Sequence, residues 1–306
     1  MDIVSDILHL LSLRASVYFH SRLCGHWAIN GANEYSATFH LIARGNCWLH
    51  IPSKQQRIPL TSVDLLVFPR DIVHSISHSD TTPINEQFER TLASELLNST
   101  DTTSVNASAE TSLICGYFDF DSPLANPLLN AMPDVLHIKS EDPGRSSRMN
   151  SILRFITTET ESDLPGSDSV VDKLSEILFI HVIRAFMQQQ ESNTGLLAAL
   201  THPQINKSIQ DVHRRPEYQW SLDSLAAVAG MSRSSYASHF KQLTHITPMQ
   251  YVTEWRMQLA YERLRSGSEP VSKIAESAGY YTEASFRKAF KQHMGIPPGS
   301  VRKLSK

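Results

Sequence analysis

Two groups of side chains in this sequence have the types and spacing to touch a nucleic acid. On a helix advancing 100° per residue, Ser234, Ser238, Lys241 and His245 share one face, flanked by Arg233 and Ala237, while Tyr236, Phe240 and Leu243 lie opposite. In the second group Ala284, Lys288 and Lys291 point away from Phe286 and Phe290, with Arg287 beside them. Small side chains let a helix approach a groove floor, and Lys or Arg reach phosphates and guanine edges. An ordinary solvated face has the same composition, so one such helix decides nothing. Repetition changes the weight of the pattern.

The elements that would position these faces are themselves repeated. Leu225 to Gly230 matches Ile274 to Gly279 at an offset of 49, and Phe240-Lys241-Gln242 matches Phe290-Lys291-Gln292 at an offset of 50. Ile246 and Pro248 recur as Ile296 and Pro298. Each copy predicts a helix, a tight turn at glycine, a second helix and a stop, which is a helix-turn-helix written twice. Ser232 and Thr282 stand where each second helix needs a side-chain acceptor for its orphan N–H groups. Pro248 suits a first helical position, and Met249, Val252, Trp255, Leu259 and Leu264 continue as one long helix joining the copies.

The charge distribution agrees. The chain has 306 residues, enough for two domains, and a formal charge of −3 from 28 basic and 31 acidic residues. From His202 to Lys306, 15 Lys and Arg face 8 Asp and Glu, giving +7; the remainder has 13 against 23, giving −10. Such asymmetry marks one half that meets a polyanion and one that does not. Cys24, Cys47 and Cys115 are too scattered for a disulfide framework and form no CxxC pair for zinc. The first residues lack a basic region ahead of their apolar ones, and Ile177 to Met187 is too short and too charged to span a bilayer. The expectation is a cytoplasmic protein with no membrane partner.

The amino-terminal half has a different texture. Ile3, Ile7, Leu8 and Leu11 predict a short amphipathic helix. From Tyr18 to His78, short aromatic and β-branched runs (Ser36 to Ile42, Asn46 to Ile51, Leu65 to Phe68) alternate with turn-formers, as in a sandwich or barrel. A polar excursion covers Ser79 to Ser112, and a further strand follows at Leu113 to Phe118. Val170 to Met187 returns to helical spacing, with Val171, Leu174, Ile177, Leu178, Val182, Ala185 and Phe186 on one broad face. That face packs either on its own barrel or on the same helix of a second subunit. A linker follows around Gln188 to Gly195.

LAAVAGMSRSSYASHFKQLTHITPMQYVTEWRM followed by IAESAGYYTEASFRKAFKQHMGIPP, within residues 200 to 300, resembles the DNA-binding domain of AraC/XylS-type regulators. The stretches GHWAI, FHLIARGNCWLHI, DLLVFPRDIVHSI, LICGYFDFDSPLANPLLNAMPDVLHI and VVDKLSEILFIHVIRAFM resemble the cupin-type sensor half of one branch of that family. The resemblance implies an all-β cupin-like barrel with a helical, dimerising tail over residues 1-198 and an all-α double helix-turn-helix domain over 199-306. By position it implies base contacts from Ser234, Ala237 and Ser238 with Arg233 and Lys241 near phosphates, and from Glu283, Ala284, Arg287 and Lys288 in the second copy. Glu283 departs from a purely basic face: it either selects a cytosine amino group or favours the positive end of its helix.

Metal-binding cupins share a His-x-His and Glu set with a further histidine on a later strand. Here only His40 and His74 are candidates, short of the usual three protein ligands, so no metal and no cofactor are expected. The alternative is an effector pocket in which both histidines are buried beside Trp27, Phe39 and Trp48. The cysteines fit either a sensing thiol or plain core residues, with no neighbour marking a lowered pKa. Expected partners are double-stranded promoter DNA, a small-molecule effector, a second copy of the chain and, for an activator, RNA polymerase. Two rival classes are a cupin enzyme such as a metal-dependent dioxygenase, opposed by the incomplete ligand set, and a repair protein with a reactive cysteine, opposed by the absence of cysteine from the carboxy-terminal half.

Overall fold

The computed structural model describes residues 5–6, 13–31, 37–81, 110–120, 129, 132–142, 146–189 and 196–304. They divide into two compact units. One is drawn from Leu13–Phe120 and Met132–Gln189, and the other from Gln190–Lys306 together with the described residues Ser5, Asp6 and Leu129. The amphipathic helix expected at the amino terminus, most of the polar excursion and most of the linker lie outside the described residues, apart from helical Ser5 and Asp6.

The first unit holds strands β1 (Leu13–Leu23), β2 (Ala28–Gly31), β3 (Ala37–Arg44), β4 (Cys47–Ile51), β5 (Gln56–Leu60), β6 (Leu65–Phe68), β7 (His74–Ser77), β8 (Thr111–Phe120) and β9 (Leu136–Ile138). They form two antiparallel sheets, β1-β8-β3-β6-β9 and β2-β7-β4-β5. Phe19, Leu23, Trp27, Ile42, Leu49, Ile51, Leu66, Phe68, Ile76 and Leu113, with Cys47 and Cys115, fill one core from both sheets. Two-sheet closure around a shared interior is how short antiparallel strands hide their apolar faces.

Among the described residues this unit also holds helices α1 (Ser147–Thr160) and α2 (Ser167–Gln189). Ser146 caps α1 by accepting from the Met149 N–H. The broad face of α2 covers the unit's own five-stranded sheet: Phe179 packs against Phe118 and Phe120 at ring-centroid distances of 4.7 and 5.4 Å. Val171, Leu178, Val182 and Ala185 are buried as the helical spacing predicts, joined by Ser175, Phe179 and Ile183. Ile177 and Val170 fall outside that face, 44% and 45% exposed. Because α2 covers the outer side of the sheet, β3 is buried from Ala37 to Ile42 on both faces. A run apolar on both sides follows when a strand is sandwiched between a core and a helix.

The second unit is helical: α3 (Leu196–Thr201), α4 (Pro203–Arg214), α5 (Leu222–Ala229), α6 (Arg233–Thr244), α7 (Pro248–Ser266), α8 (Val271–Ser277), α9 (Glu283–Met294) and α10 (Pro298–Leu304). Helix α7 serves two cores. Near its start Tyr251 meets Phe240 edge to face at 5.7 Å, and the Trp255 ring stacks on His213 of α4. Farther along, Met257, Ala260, Tyr261 and Leu264 join Ile274, Ala275, Phe286, Phe290, Met294 and Val301 in a separate cluster. No described helix is long and apolar enough to cross a membrane.

Candidate functional site

Both helix-turn-helix motifs form as their residues dictate. In the first, a capping box of Ser221 and Ser224 starts α5, and Gly230 ends it at φ 64°, a left-handed conformation that glycine adopts without strain. Ser232 caps α6 by accepting from the Ser235 N–H at 3.3 Å. Tyr236 and Phe240 are 1% exposed, and the Tyr236 hydroxyl lies 2.8 Å from that of Ser208 on α4. The second copy repeats this: Gly279 turns at φ 75°, Thr282 caps α9 by accepting from the Ser285 N–H at 3.1 Å, and Phe286 and Phe290 are fully buried. With each aromatic stripe fixed inward, the opposite face is left to solvent.

The predicted contact residues lie on those outward faces. Arg233, Ser234, Ser238 and Lys241 are exposed and Ala237 is half-buried on α6; Ala284, Arg287, Lys288 and Lys291 are exposed on α9, with Glu283 half-buried. Glu283 does more than favour its helix end. Its carboxylate accepts from Arg287 Nε at 2.7 Å across one helical turn. On α6, Arg233 lies 3.4 Å from Asp223 of α5. Both pairs are open to solvent, so each is weak and can give way to a contact with DNA. The α6 face offers two hydroxyls, a guanidinium and an ammonium group from Ser234, Ser238, Arg233 and Lys241, and the α9 face a guanidinium and two ammonium groups from Arg287, Lys288 and Lys291.

The first motif is anchored by buried His213. Its Nε2 lies 2.7 Å from the Tyr251 hydroxyl, and its ring lies flat on Trp255. Burial pushes its pKa down to about 3. The ring is therefore neutral near pH 7, and its 3.5 Å approach to the Asp6 carboxylate is not an ion pair there.

The barrel interior brings some of the predicted pocket together. His40 and His74 are 2% exposed, with Nε2 atoms 2.7 Å apart, and His74 stacks on Phe68 at 3.7 Å. The His74 Nδ1 lies 2.6 Å from the Ile72 carbonyl, which can only accept, so that nitrogen carries the proton. In a neutral ring His74 Nε2 is then the acceptor, and His40 Nε2 donates to it. Among the described residues, His40 Nδ1 is a buried acceptor with no hydrogen-bond partner. Burial, first, and the neighbouring His74, second, hold His40 well below its ordinary pKa. Trp27 belongs to this interior core. Phe39 and Trp48 point elsewhere: Phe39 packs on Phe118 under α2, and Trp48 lies between core-facing Cys47 and Leu49, hence on the outer side of β4. Among the described residues no cluster of three or more His, Cys, Asp or Glu could hold a metal ion.

Burial raises the Cys47 thiol to about 12 and moves Cys115 farther in the same direction, so neither is a thiolate near neutrality. Cys24 is exposed. Outside the interior, a cleft of about 430 Å³ between β1, β8 and α2 is lined by Arg14, Tyr117, Asp119, Asp172, Lys173 and Glu176. Its residues come from strand and helix positions with no motif linking them, so nothing in the sequence pointed to it.

A sheet-rich amino-terminal unit joined to paired helix-turn-helix motifs defines a helix-turn-helix transcription regulator. The comparison with known proteins fixes the family: residues 2–188 match the family described as Cupin and residues 225–304 the Helix-turn-helix domain, so the chain belongs to the AraC-like regulators with a cupin amino-terminal domain. It is 28% identical to the HTH-type transcriptional regulator AlkR of Acinetobacter baylyi over 314 residues, covering 100% of both chains. It is 27% identical to the RCS-specific HTH-type transcriptional activator RclR of Escherichia coli over 305 residues (99% of this chain, 97% of that one). MtrA of Neisseria gonorrhoeae, an HTH-type transcriptional regulator, is 26% identical over 311 residues, 99% and 98% of the two chains.

Proposed function

We propose that this regulator binds promoter DNA through α6 and α9 and changes transcription when a small effector occupies its cupin-like domain. The observation that carries this is the matched pair of capped helices whose aromatic stripes are buried and whose hydroxyl-bearing and basic faces are exposed, in the one segment with a net charge of +7 (15 basic against 8 acidic). Ser234, Ala237, Ser238, Glu283, Ala284, Arg287 and Lys288 read base edges, with Arg233, Lys241 and Lys291 near phosphates. The functional division falls at 1-198 and 199-306.

Activation, through RNA polymerase, is favoured by the likeness to RclR, a transcriptional activator. The protein acts in the cytoplasm and carries no catalytic centre. Exposed Ile177 and Val170 on α2 support a homodimer, which sets two DNA-binding domains on paired half-sites. The buried acceptor at His40 Nδ1 supports an interior effector site around His40 and His74, bordered by Trp27.

Selection of duplexes from a random library by the full chain tests the proposal. A consensus is expected, with affinity falling steeply as salt rises because bound Lys and Arg release counterions. Failure to enrich any sequence, or a salt-insensitive complex, would overturn it.

A further inference from the structure

The two reader helices are joined by more than α7. The segment from Arg215 to Trp220, between α4 and α5, belongs to the first motif, yet it is tied to the second. Arg256, midway along α7, donates from Nε to the Pro216 carbonyl at 2.7 Å and from Nη2 to the Tyr218 carbonyl at 2.7 Å. Gln219 Nε2 donates to the carbonyl of Gly279, the turn glycine of the second motif, at 2.9 Å. Gly279 packs directly on this bracket: a β-carbon there would lie 2.6 Å from Arg256 Nη2 and 3.0 Å from the Glu217 carbonyl. The segment is stiff. Trp220 Nε1 donates to the Arg215 carbonyl at 3.0 Å, and the Arg215 guanidinium sits 5.3 Å from the centroids of both Tyr218 and Trp220.

Two bodies joined by one helix can bend and twist about it. A second tie on a different line removes that freedom. Arg256 is basic yet lies on neither reader helix, and its planar fork reaches two carbonyls at once, which a lysine ammonium does not do. We propose that Arg256 and Gln219 are positioning residues that fix the spacing and phase of α6 and α9, and so set the separation between the two halves of the DNA site. This rests on the DNA-binding function proposed above.

A base pair inserted between the halves displaces and rotates the second groove by about a tenth of a helical turn. A rigid pair of readers loses affinity steeply on that change, and a loosened pair does not. The test uses full-length protein and duplexes selected by the wild type, then lengthened or shortened by one or two base pairs between the halves, with Kd measured at fixed salt. The wild type should lose about tenfold or more per inserted pair, while Arg256→Ala and Gln219→Ala bind the parent duplex about fivefold more weakly yet lose much less on insertion, as expected when the coupling between two sites is cut. Arg256→Lys should recover only part of the spacing penalty.

If the variants weaken binding equally at every spacing, or match the wild type throughout, the bracket does not set spacing and the inference falls. It also falls if the selected site has a single half. Failure of the wild type to select any sequence is a different result, which strikes the proposed function itself. Should Arg256→Ala not fold, judged by circular dichroism, Gln219→Ala and Arg256→Lys decide the question, since both leave a positive charge on α7 in place.

Discussion

Replacing the turn glycine with alanine should cost differently in the two repeats, although the sequence pattern is the same. Gly230 and Gly279 both adopt left-handed conformations, φ 64° and 75°. That alone costs an L-residue about 1 to 2 kcal/mol, reduced by some tenths because alanine has less freedom than glycine in the unfolded chain. A β-carbon at Gly230 meets nothing within 4 Å, so Gly230→Ala should cost about 1 kcal/mol. At Gly279 it would meet Arg256 Nη2 at 2.6 Å, Cζ at 2.9 Å and the Glu217 carbonyl at 3.0 Å. The guanidinium is held by two carbonyls and the third contact is backbone, so relief requires breaking at least one charge-assisted hydrogen bond. Such a bond is worth about 1.5 to 3 kcal/mol, placing Gly279→Ala near 3 kcal/mol in total. Native-state hydrogen exchange of the full chain, read on amides of α5–α6 and of α8–α9, measures each opening free energy separately. Gly230→Ala should lower protection in the first motif by about fivefold, and Gly279→Ala in the second by a hundredfold or so, from the energies above. Equal losses would refute the claim that Gly279 is packed against a held arginine.

Other outcomes follow from the same geometry. Ile177→Glu places a charge on the exposed side of α2 and should yield monomers by sedimentation without unfolding; an unchanged dimer would put the interface elsewhere. His40→Ala with His74→Ala should abolish the response to inducer while DNA binding persists, and a folded double variant that responds normally would make both histidines structural. Acidification should loosen the first helix-turn-helix motif. His213 is neutral with a pKa of about 3 when folded, against 6.5 when unfolded, so below pH 6.5 the unfolded chain binds a proton that the native one does not. Its stability contribution is intact above that point and falls by about 1.4 kcal/mol per pH unit toward pH 3, about 2 kcal/mol by pH 5. His213→Phe should flatten that part of the curve, and an unchanged slope would remove His213 as the cause.

The helical half was legible in the sequence because each of its signals is local. A glycine at a left-handed turn, a Ser or Thr cap and an aromatic stripe at helical spacing occur within a few residues of one another, twice. Assigning Phe39 and Trp48 to the effector pocket required knowing which side of each strand faces the interior. In β3 the usual alternation is absent because the core lies on one face and Phe118 and Phe179 on the other. The broad apolar face of α2 left its partner open for the same reason: periodicity shows that a face must be covered, not by what. Arg256 reads as one more surface base on a helix, since the carbonyls it holds lie 40 and 38 residues earlier in the chain. Glu283 gave the clearest partial signal. Its place four residues before Arg287 is the spacing of a helical ion pair, and that pair forms.

Reading of DNA by both α6 and α9 is open to hydroxyl-radical footprinting of the full chain on its selected duplex. Two protected patches on one face of the helix, about 10 base pairs apart, are expected. Ser238→Ala should weaken protection in one patch and Arg287→Ala in the other, each with a loss of specific affinity of about 1 to 3 kcal/mol. A single patch, or two that both variants leave unchanged, would contradict the account.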